Sequence, residues 1–123
     1  MKFTVSKAGS VMACIVPGDG GLTQKTRVVC TEQGMPTKTL FAGFLELPPG
    51  VHGALHDHNM EELYYILSGY GWVECDGERK EIAQGDVVWL SADVKHRAMN
   101  GSATEPLKLL YVCGADMNVL KDA

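Results

Sequence analysis

The sequence predicts an all-β protein, built as a sandwich or barrel of short strands. Five segments are short, rich in β-branched, aromatic and aliphatic residues, and separated by turn signals. These segments are Thr39–Leu47, Leu63–Leu67, Gly71–Cys75, Val87–Leu90 and Leu107–Cys113. No segment keeps the 3.6-residue period of an amphipathic helix over three turns. Many short strands at near-regular spacing are typical of a sandwich or barrel.

Turn-forming residues divide the chain between these strands. Asp76-Gly77 marks the clearest hairpin, because this dipeptide tolerates the positive φ angles of a tight turn, and Glu78–Ile82 is then the returning strand. The stretch Pro17–Pro36 predicts a loop and one strand, over Thr26–Thr31. Residues Ala115–Ala123 predict a short terminal turn at most.

Composition and charge narrow the class of protein. With 123 residues and no internal repeat or linker, the chain is expected to form one domain over residues 1–123. The net charge of −4 argues against a nucleic-acid partner, which would favour a basic face. No apolar run is long enough to span a membrane, and no signal segment is evident. We therefore expect a cytoplasmic protein whose four cysteines are free thiols.

Three of the four histidines form a pattern with Glu62 that is typical of a metal site. His56 and His58 are one residue apart, so on a strand both imidazoles would share a face, with Cα atoms roughly 6.6 Å apart. A straight strand would carry Glu62 about 13 Å beyond His58, so the chain is expected to bend at Asn59-Met60-Glu61. His96 must come from a strand that folds back beside the first. Three imidazoles and one carboxylate suit iron, manganese, nickel, cobalt or zinc.

Two longer motifs carry these residues. Gly50–Gly69 reads GVHGALHDHNMEELYYILSG, and Gly85–Asn100 reads GDVVWLSADVKHRAMN. They resemble the two motifs of the cupin superfamily, with the glycines, histidines and Glu62 at the family's spacing. With the hairpin between them, they cover about half of the chain. Ser91 stands where the family usually has proline and Asp93 where it usually has glycine. Both are turn positions, so these departures bear on the local turn and not on the metal ligands.

The resemblance implies a small single-domain cupin. Its fold would be a conical antiparallel β-barrel, also described as a double-stranded β-helix or a jelly-roll-like barrel. One divalent transition metal ion would lie inside the wider mouth, and the protein would usually be a homodimer. The implied metal ligands are His56, His58, Glu62 and His96. The family's spacing selects Glu62 as the carboxylate ligand and leaves Glu61 to face solvent or a neighbouring loop.

Strand parity places further side chains beside the metal. Tyr64 shares the face of Glu62, and Tyr111 is expected to face the interior from the last strand. Tyr64 and Tyr111 are therefore candidate catalytic acid/base residues, with packing in the barrel wall as the alternative. Arg27 and Lys38 could bind an anionic substrate only if they pointed into the barrel.

The expected function is that of a metal-dependent enzyme acting on a small oxygenated metabolite, by dioxygenase-type chemistry. An ion with free coordination positions would allow this, whereas a tetrahedral zinc held by all four ligands would be structural. A non-redox lyase or isomerase is one alternative, although no further inward Asp, Glu or Lys stands out as a base. A non-catalytic small-molecule-binding or sensor protein is another, although the sequence contains no helix-turn-helix segment.

Overall fold

The structure, a computed structural model, describes residues 3–7, 14–17, 23–30 and 34–114. These ranges hold nine strands and no helix, which confirms the all-β prediction. No helix long and apolar enough to cross a membrane occurs in them. The strands are β1 (Cys14–Pro17), β2 (Thr23–Val28), β3 (Leu40–Leu47), β4 (Glu61–Ser68), β5 (Tyr70–Cys75), β6 (Glu78–Ala83), β7 (Val87–Leu90), β8 (His96–Asn100) and β9 (Leu107–Gly114).

The strands pair into two antiparallel sheets. The larger sheet has the order β1-β2-β3-β9-β4-β7, and the smaller has the order β6-β5-β8. All five segments predicted as strands are present, and their ends lie within two residues of the predicted ones. The antiparallel pairing throughout agrees with the barrel class that the sequence predicts.

The N-terminal strands differ from the prediction. β1 was not predicted at all, and β2 covers Thr23–Val28 instead of Thr26–Thr31. β2 pairs with β1 through its first residues and with β3 through its last ones, so pairing on both sides determines its bounds. Thr31 and the predicted terminal turn at Ala115–Ala123 lie outside the described residues.

Alternation along β4 determines which side chains point inward. Glu62, Tyr64 and Ile66 are buried, while Leu63 and Tyr65 between them are exposed. This confirms that Tyr64 shares the inner face of Glu62, because successive side chains of a strand point to opposite faces. The inner side chains of both sheets pack into one core, formed by Leu47, Val51, Tyr64, Ile66, Val73, Ile82, Leu90, Ala98, Leu107 and Leu109.

The predicted hairpin is present between β5 and β6. Cys75 pairs with Glu78 across a two-residue turn, and Asp76 and Gly77 have φ angles of 52° and 80°. Positive φ at both central residues is the geometry of a type I′ turn, which matches the right-handed twist of paired strands. Asp-Gly is therefore favoured here for its backbone conformation.

The turn before β8 keeps a left-handed residue although the sequence has no glycine there. Asp93 has a φ of 63°, and its N–H donates to the carbonyl of His58 at 2.8 Å. Aspartate is one of the few non-glycine residues that adopt this conformation readily. Asp93 therefore preserves a tight turn at the position where the family usually has glycine. A backbone hydrogen bond joins this turn to His58.

Replacing Asp93 with glycine should stabilise the protein by about 0.5 kcal/mol. Relief of the left-handed conformation contributes about 1 kcal/mol, and the greater freedom of glycine in the unfolded chain removes about half of that. Asp93→Ala should instead destabilise it, because alanine has no short polar side chain to stabilise this conformation. Urea unfolding in EDTA would rank the three proteins, and an alanine variant as stable as the glycine variant would contradict the prediction.

Candidate metal centre

Four side chains meet where the two sheets adjoin. Glu62 is the second residue of β4, His96 is the first residue of β8, and His56 and His58 lie on the segment before β4. One donor atom from each residue lies within 4.8 Å of all the others. We call His56, His58, Glu62 and His96 the ligand cluster. The structure thus brings together all four residues that were expected to bind metal.

Backbone hydrogen bonds hold the segment that carries His56 and His58. The His56 N–H donates to the carbonyl of His96 at 3.1 Å, and the His96 N–H donates back to the carbonyl of His56 at 2.8 Å. This single bridge does not extend into a ladder, so the prediction that both histidines lie on one strand is wrong. The predicted bend is present at Asn59-Met60, and it allows Glu62 to return toward the histidines.

Backbone carbonyls orient the three imidazole rings. Nδ1 of each histidine in the ligand cluster lies 2.8–2.9 Å from a carbonyl oxygen two residues away in the sequence. The carbonyls belong to Ala54, Met60 and Val94. A carbonyl can only accept, so Nδ1 carries the hydrogen in each ring and the neutral tautomer has its lone pair on Nε2. Contacts of this kind fix the tautomer and orientation of histidines that bind metals through the other nitrogen.

Glu62 connects the histidines electrostatically. Its Oε1 lies 2.9 Å from Nε2 of His96 and 3.4 Å from Nε2 of His58, and its Oε2 accepts a hydrogen bond from Cys113 Sγ at 3.2 Å. Burial alone would raise the pKa of the Glu62 carboxyl, but the hydrogen bonds from His96 and Cys113 outweigh it and lower the pKa. Burial alone would lower the pKa of His96, but the hydrogen bonds to Glu62 and to the Val94 carbonyl raise it. The pair thus favours a proton on Nε2 of His96 that is donated to an ionised Glu62.

The donor set fits a divalent first-row ion. Two atoms that each lie about 2.1 Å from one ion are at most about 4.2 Å apart. The 4.8 Å spread of the donor atoms therefore closes with shifts of a few tenths of an ångström. The ion would be held by three Nε2 atoms and by Oε1 of Glu62, a nitrogen-rich set suited to iron, manganese, cobalt, nickel or zinc.

A cavity of about 250 Å³ adjoins three members of the ligand cluster: His56, His58 and Glu62. The rest of its wall is apolar or neutral, and consists of Gln24, Thr26, Phe41, Leu45, Met60, Tyr64, Tyr111 and Cys113. A larger cavity of about 700 Å³, lined by residues from β5, β6 and β7, contains no member of the ligand cluster. A molecule in the smaller cavity could therefore reach the metal position.

Tyr64 and Tyr111 both line this cavity, as the strand parity predicts. Burial, followed by the charge of Glu62, raises the pKa of Tyr64 well above its ordinary value. Burial also raises the pKa of Tyr111, whose hydroxyl lies 3.2 Å from Thr26 Oγ1. Both phenols therefore stay protonated near neutral pH, and they can donate hydrogen bonds or protons but cannot act as bases. Their catalytic role stays a prediction.

Two contributors to the site were not identified from the sequence. Burial raises the pKa of the Cys113 thiol to about 12, so it remains a hydrogen-bond donor to Glu62. The parity that Cys113 shares with Tyr111 was the signal that could have revealed it. Gln24 lies on the part of β2 that the predicted strand omitted, and its Oε1 is buried without a hydrogen-bond partner among the described residues.

An antiparallel β fold with a histidine–carboxylate cluster beside a small cavity defines a class of proteins able to hold a metal ion. A family model described as a cupin domain matches residues 43–113 of the sequence, more than half of the chain. The chain belongs to the cupin family.

Both protein sequences and solved structures that are similar to this chain bear on its class. The chain is 33% identical over 76 residues to an oxalate-binding protein of Thermotoga maritima, covering 61% of this chain and 63% of that one. It is 36% identical over 63 residues to an (R)-mandelonitrile lyase of Granulicella tundricola, covering 50% of this chain and 48% of the lyase. The chain thus spans less than two thirds of the length of either protein.

A solved structure extends the likeness over nearly the whole chain. It is described as a predicted oxalate decarboxylase from Thermotoga maritima and has a TM-score of 0.79 at 24% identity, covering 91% of this chain and 99% of that one. At that identity the likeness shows the fold alone. The fold class expected from the sequence is thereby confirmed.

Proposed function

We propose that the protein is a metal-dependent enzyme acting on a small oxygenated molecule, with dioxygenase-type chemistry at the ligand cluster. The observation that supports this most strongly is that three of the four cluster residues, His56, His58 and Glu62, line a cavity of about 250 Å³. A purely structural ion requires no adjoining space for a second molecule. When bound, a redox-active ion such as Fe(II) would supply the chemistry that joins a chelated substrate to dioxygen.

The protein's own groups would position the reactants. The carbonyl contacts to Nδ1 hold the imidazoles in one tautomer, and Cys113 holds the second oxygen of Glu62 away from the histidines. Phe41, Leu45 and Met60 would exclude water from the substrate. The protonated phenols of Tyr64 and Tyr111 would donate hydrogen bonds to its oxygen atoms.

The lack of a base supports an oxygenase over a lyase that abstracts a proton. Among the described residues that line the cavity, every carboxylate and imidazole belongs to the ligand cluster. The remaining titratable groups, Tyr64, Tyr111 and Cys113, all have raised pKa values. Non-redox lyase chemistry is the second candidate, favoured by the relative named as a mandelonitrile lyase.

Reconstitution with single metals distinguishes these functions. Protein stripped with EDTA would be loaded separately with Fe(II), Mn(II), Co(II), Ni(II) or Zn(II), and offered a panel of small hydroxy and keto acids with and without oxygen. Oxygen uptake that requires Fe(II) and a substrate is the expected result. Oxygen-independent turnover with Mn(II) or Zn(II) would favour the lyase, and binding without turnover under every ion would favour a binding protein. A His58→Ala variant serves as the control for adventitious metal.

The predicted homodimer, the cytoplasmic location and the single domain stay predictions, since no feature of the described residues bears on them.

A further inference from the structure

We propose that the cavity selects molecules with one monoanionic chelating head and an uncharged, largely apolar tail, and that it rejects molecules whose tail carries a second carboxylate. This inference rests on the proposed function, because the head requires a metal ion at the ligand cluster. The inference goes beyond the proposed function because it specifies the tail of the substrate, which does not contact the metal.

The charge of the site determines how many anionic groups it can accept. A divalent ion with three neutral imidazoles and the Glu62 carboxylate has a net charge of about +1. One carboxylate or one alkoxide on a chelating head neutralises this charge. A second carboxylate on the same molecule would have to find its counter-charge elsewhere in the cavity.

The described part of the cavity wall offers no such counter-charge. No lysine or arginine is among the described residues that line it. The nearest candidates in sequence, Lys25 and Arg27, alternate on β2 with Gln24 and Thr26, which do line it, so their side chains project to the opposite face. Lys25 and Arg27 instead line a separate cavity on that face, where Lys25 lies 3.7 Å from Glu46. A carboxylate tail would therefore be desolvated without a partner.

The same wall suits an uncharged, largely apolar tail. Phe41, Leu45 and Met60 supply apolar surface, and the Phe41 and Tyr111 rings lie 6.0 Å apart between centroids. Gln24 adds a neutral amide side chain to this wall. The volume of about 250 Å³ limits the whole molecule to the size of a small metabolite.

Three α-hydroxy acids with the same chelating head test this selectivity. Glycolate has no tail, 2-hydroxy-4-methylpentanoate has an isobutyl tail, and malate has a carboxymethyl tail of similar shape. Each would be titrated into Co(II)-loaded protein and followed by calorimetry and by the visible absorption of the ion, which reports binding at the metal without turnover. The isobutyl acid should bind at least about tenfold more tightly than malate at pH 7.5, with glycolate weaker than the isobutyl acid.

The outcomes separate this inference from the proposed function. If none of the three acids changes the Co(II) spectrum, the ligand cluster does not present an accessible ion and both proposals fail. If all three change it but malate binds as tightly as the isobutyl acid or more tightly, only the tail selectivity is overturned. A Gln24→Lys variant, which places a cation in the wall, should raise the affinity for malate relative to the isobutyl acid, and Gln24→Met serves as its uncharged control. An unchanged ratio in Gln24→Lys would count against the counter-charge argument.

Discussion

Replacing His96 with alanine should lower metal affinity by more than about 100-fold and also destabilise the metal-free protein. Losing a group that merely orients a metal ligand already costs 10- to 100-fold, and the substitution removes a ligand itself. His96 is 1% exposed, and its Nε2 is the nearest partner of the buried Glu62 carboxylate. Removing one member of a buried pair leaves the other uncompensated, which costs about 3 kcal/mol. Metal titration and urea unfolding in EDTA measure the two effects separately.

Two further variants make this prediction specific. His52 lies outside the ligand cluster, so His52→Ala should retain the metal affinity of the wild-type protein. Adding Glu62→Gln to His96→Ala should recover part of the lost stability, because it removes the uncompensated charge, but it should not recover metal binding. A His96→Ala protein that binds metal as tightly as His52→Ala would rule out the ligand cluster as the metal site.

The features of the fold that were predictable from the sequence are those with a local physical cause. The Asp76-Gly77 hairpin follows from the φ angles that these two residues tolerate, and the inward face of β4 follows from the two-residue period of a strand. β1 and the early start of β2 follow from the pairing of Cys14–Pro17 with Thr23–Thr26. β2 reads TQKTRV, which is mostly polar, so its composition does not indicate where the strand starts, and these elements were missed or misplaced.

The candidate site also has some features that were predictable from the sequence and others that were not. Its four ligands could be named because their spacing is a sequence property, and the resemblance to cupin motifs covers every one of them. The reason assumed for His56 and His58 was wrong, since backbone carbonyls orient their rings and a shared strand does not. The roles of Cys113 and Gln24 depend on which side chains face each other across the cavity, and this becomes visible only in three dimensions.

Metal affinity should fall steeply on acidification. His96 has a raised pKa because of its hydrogen bond to Glu62, so Nε2 binds a proton more readily than in an ordinary histidine, and an incoming ion must compete with that proton. Each proton displaced weakens binding about tenfold for every pH unit below the pKa of the group concerned. From pH 8 to pH 5 the affinity should therefore drop by at least about tenfold. Competition with a chelator of known affinity measures this, and a flat profile from pH 8 to 5 would exclude histidine ligation.

The stability of the metal-free protein should depend on pH through His96 and Glu62, and the stabilisation by metal should depend on pH as well. The raised pKa of His96 stabilises the metal-free fold below the ordinary histidine value of 6.5, and this contribution is lost as the pH rises through the raised value. The lowered pKa of Glu62 stabilises it above the ordinary value of 4.5, and this contribution is lost as the pH falls through the lowered value. The pair thus contributes most between about pH 4.5 and 6.5.

A metal ion competes with the proton on Nε2 of His96, so its stabilising effect grows as protons become scarce. The difference in melting temperature between loaded and EDTA-treated protein should therefore widen steadily from pH 5 to pH 8, while the EDTA-treated protein alone loses stability above pH 6.5. Thermal unfolding of both forms across this range tests both statements. Because His96→Ala removes the pair and a ligand together, it should abolish both trends. A wild-type difference that narrows with rising pH would show that the ion does not compete with a proton at His96.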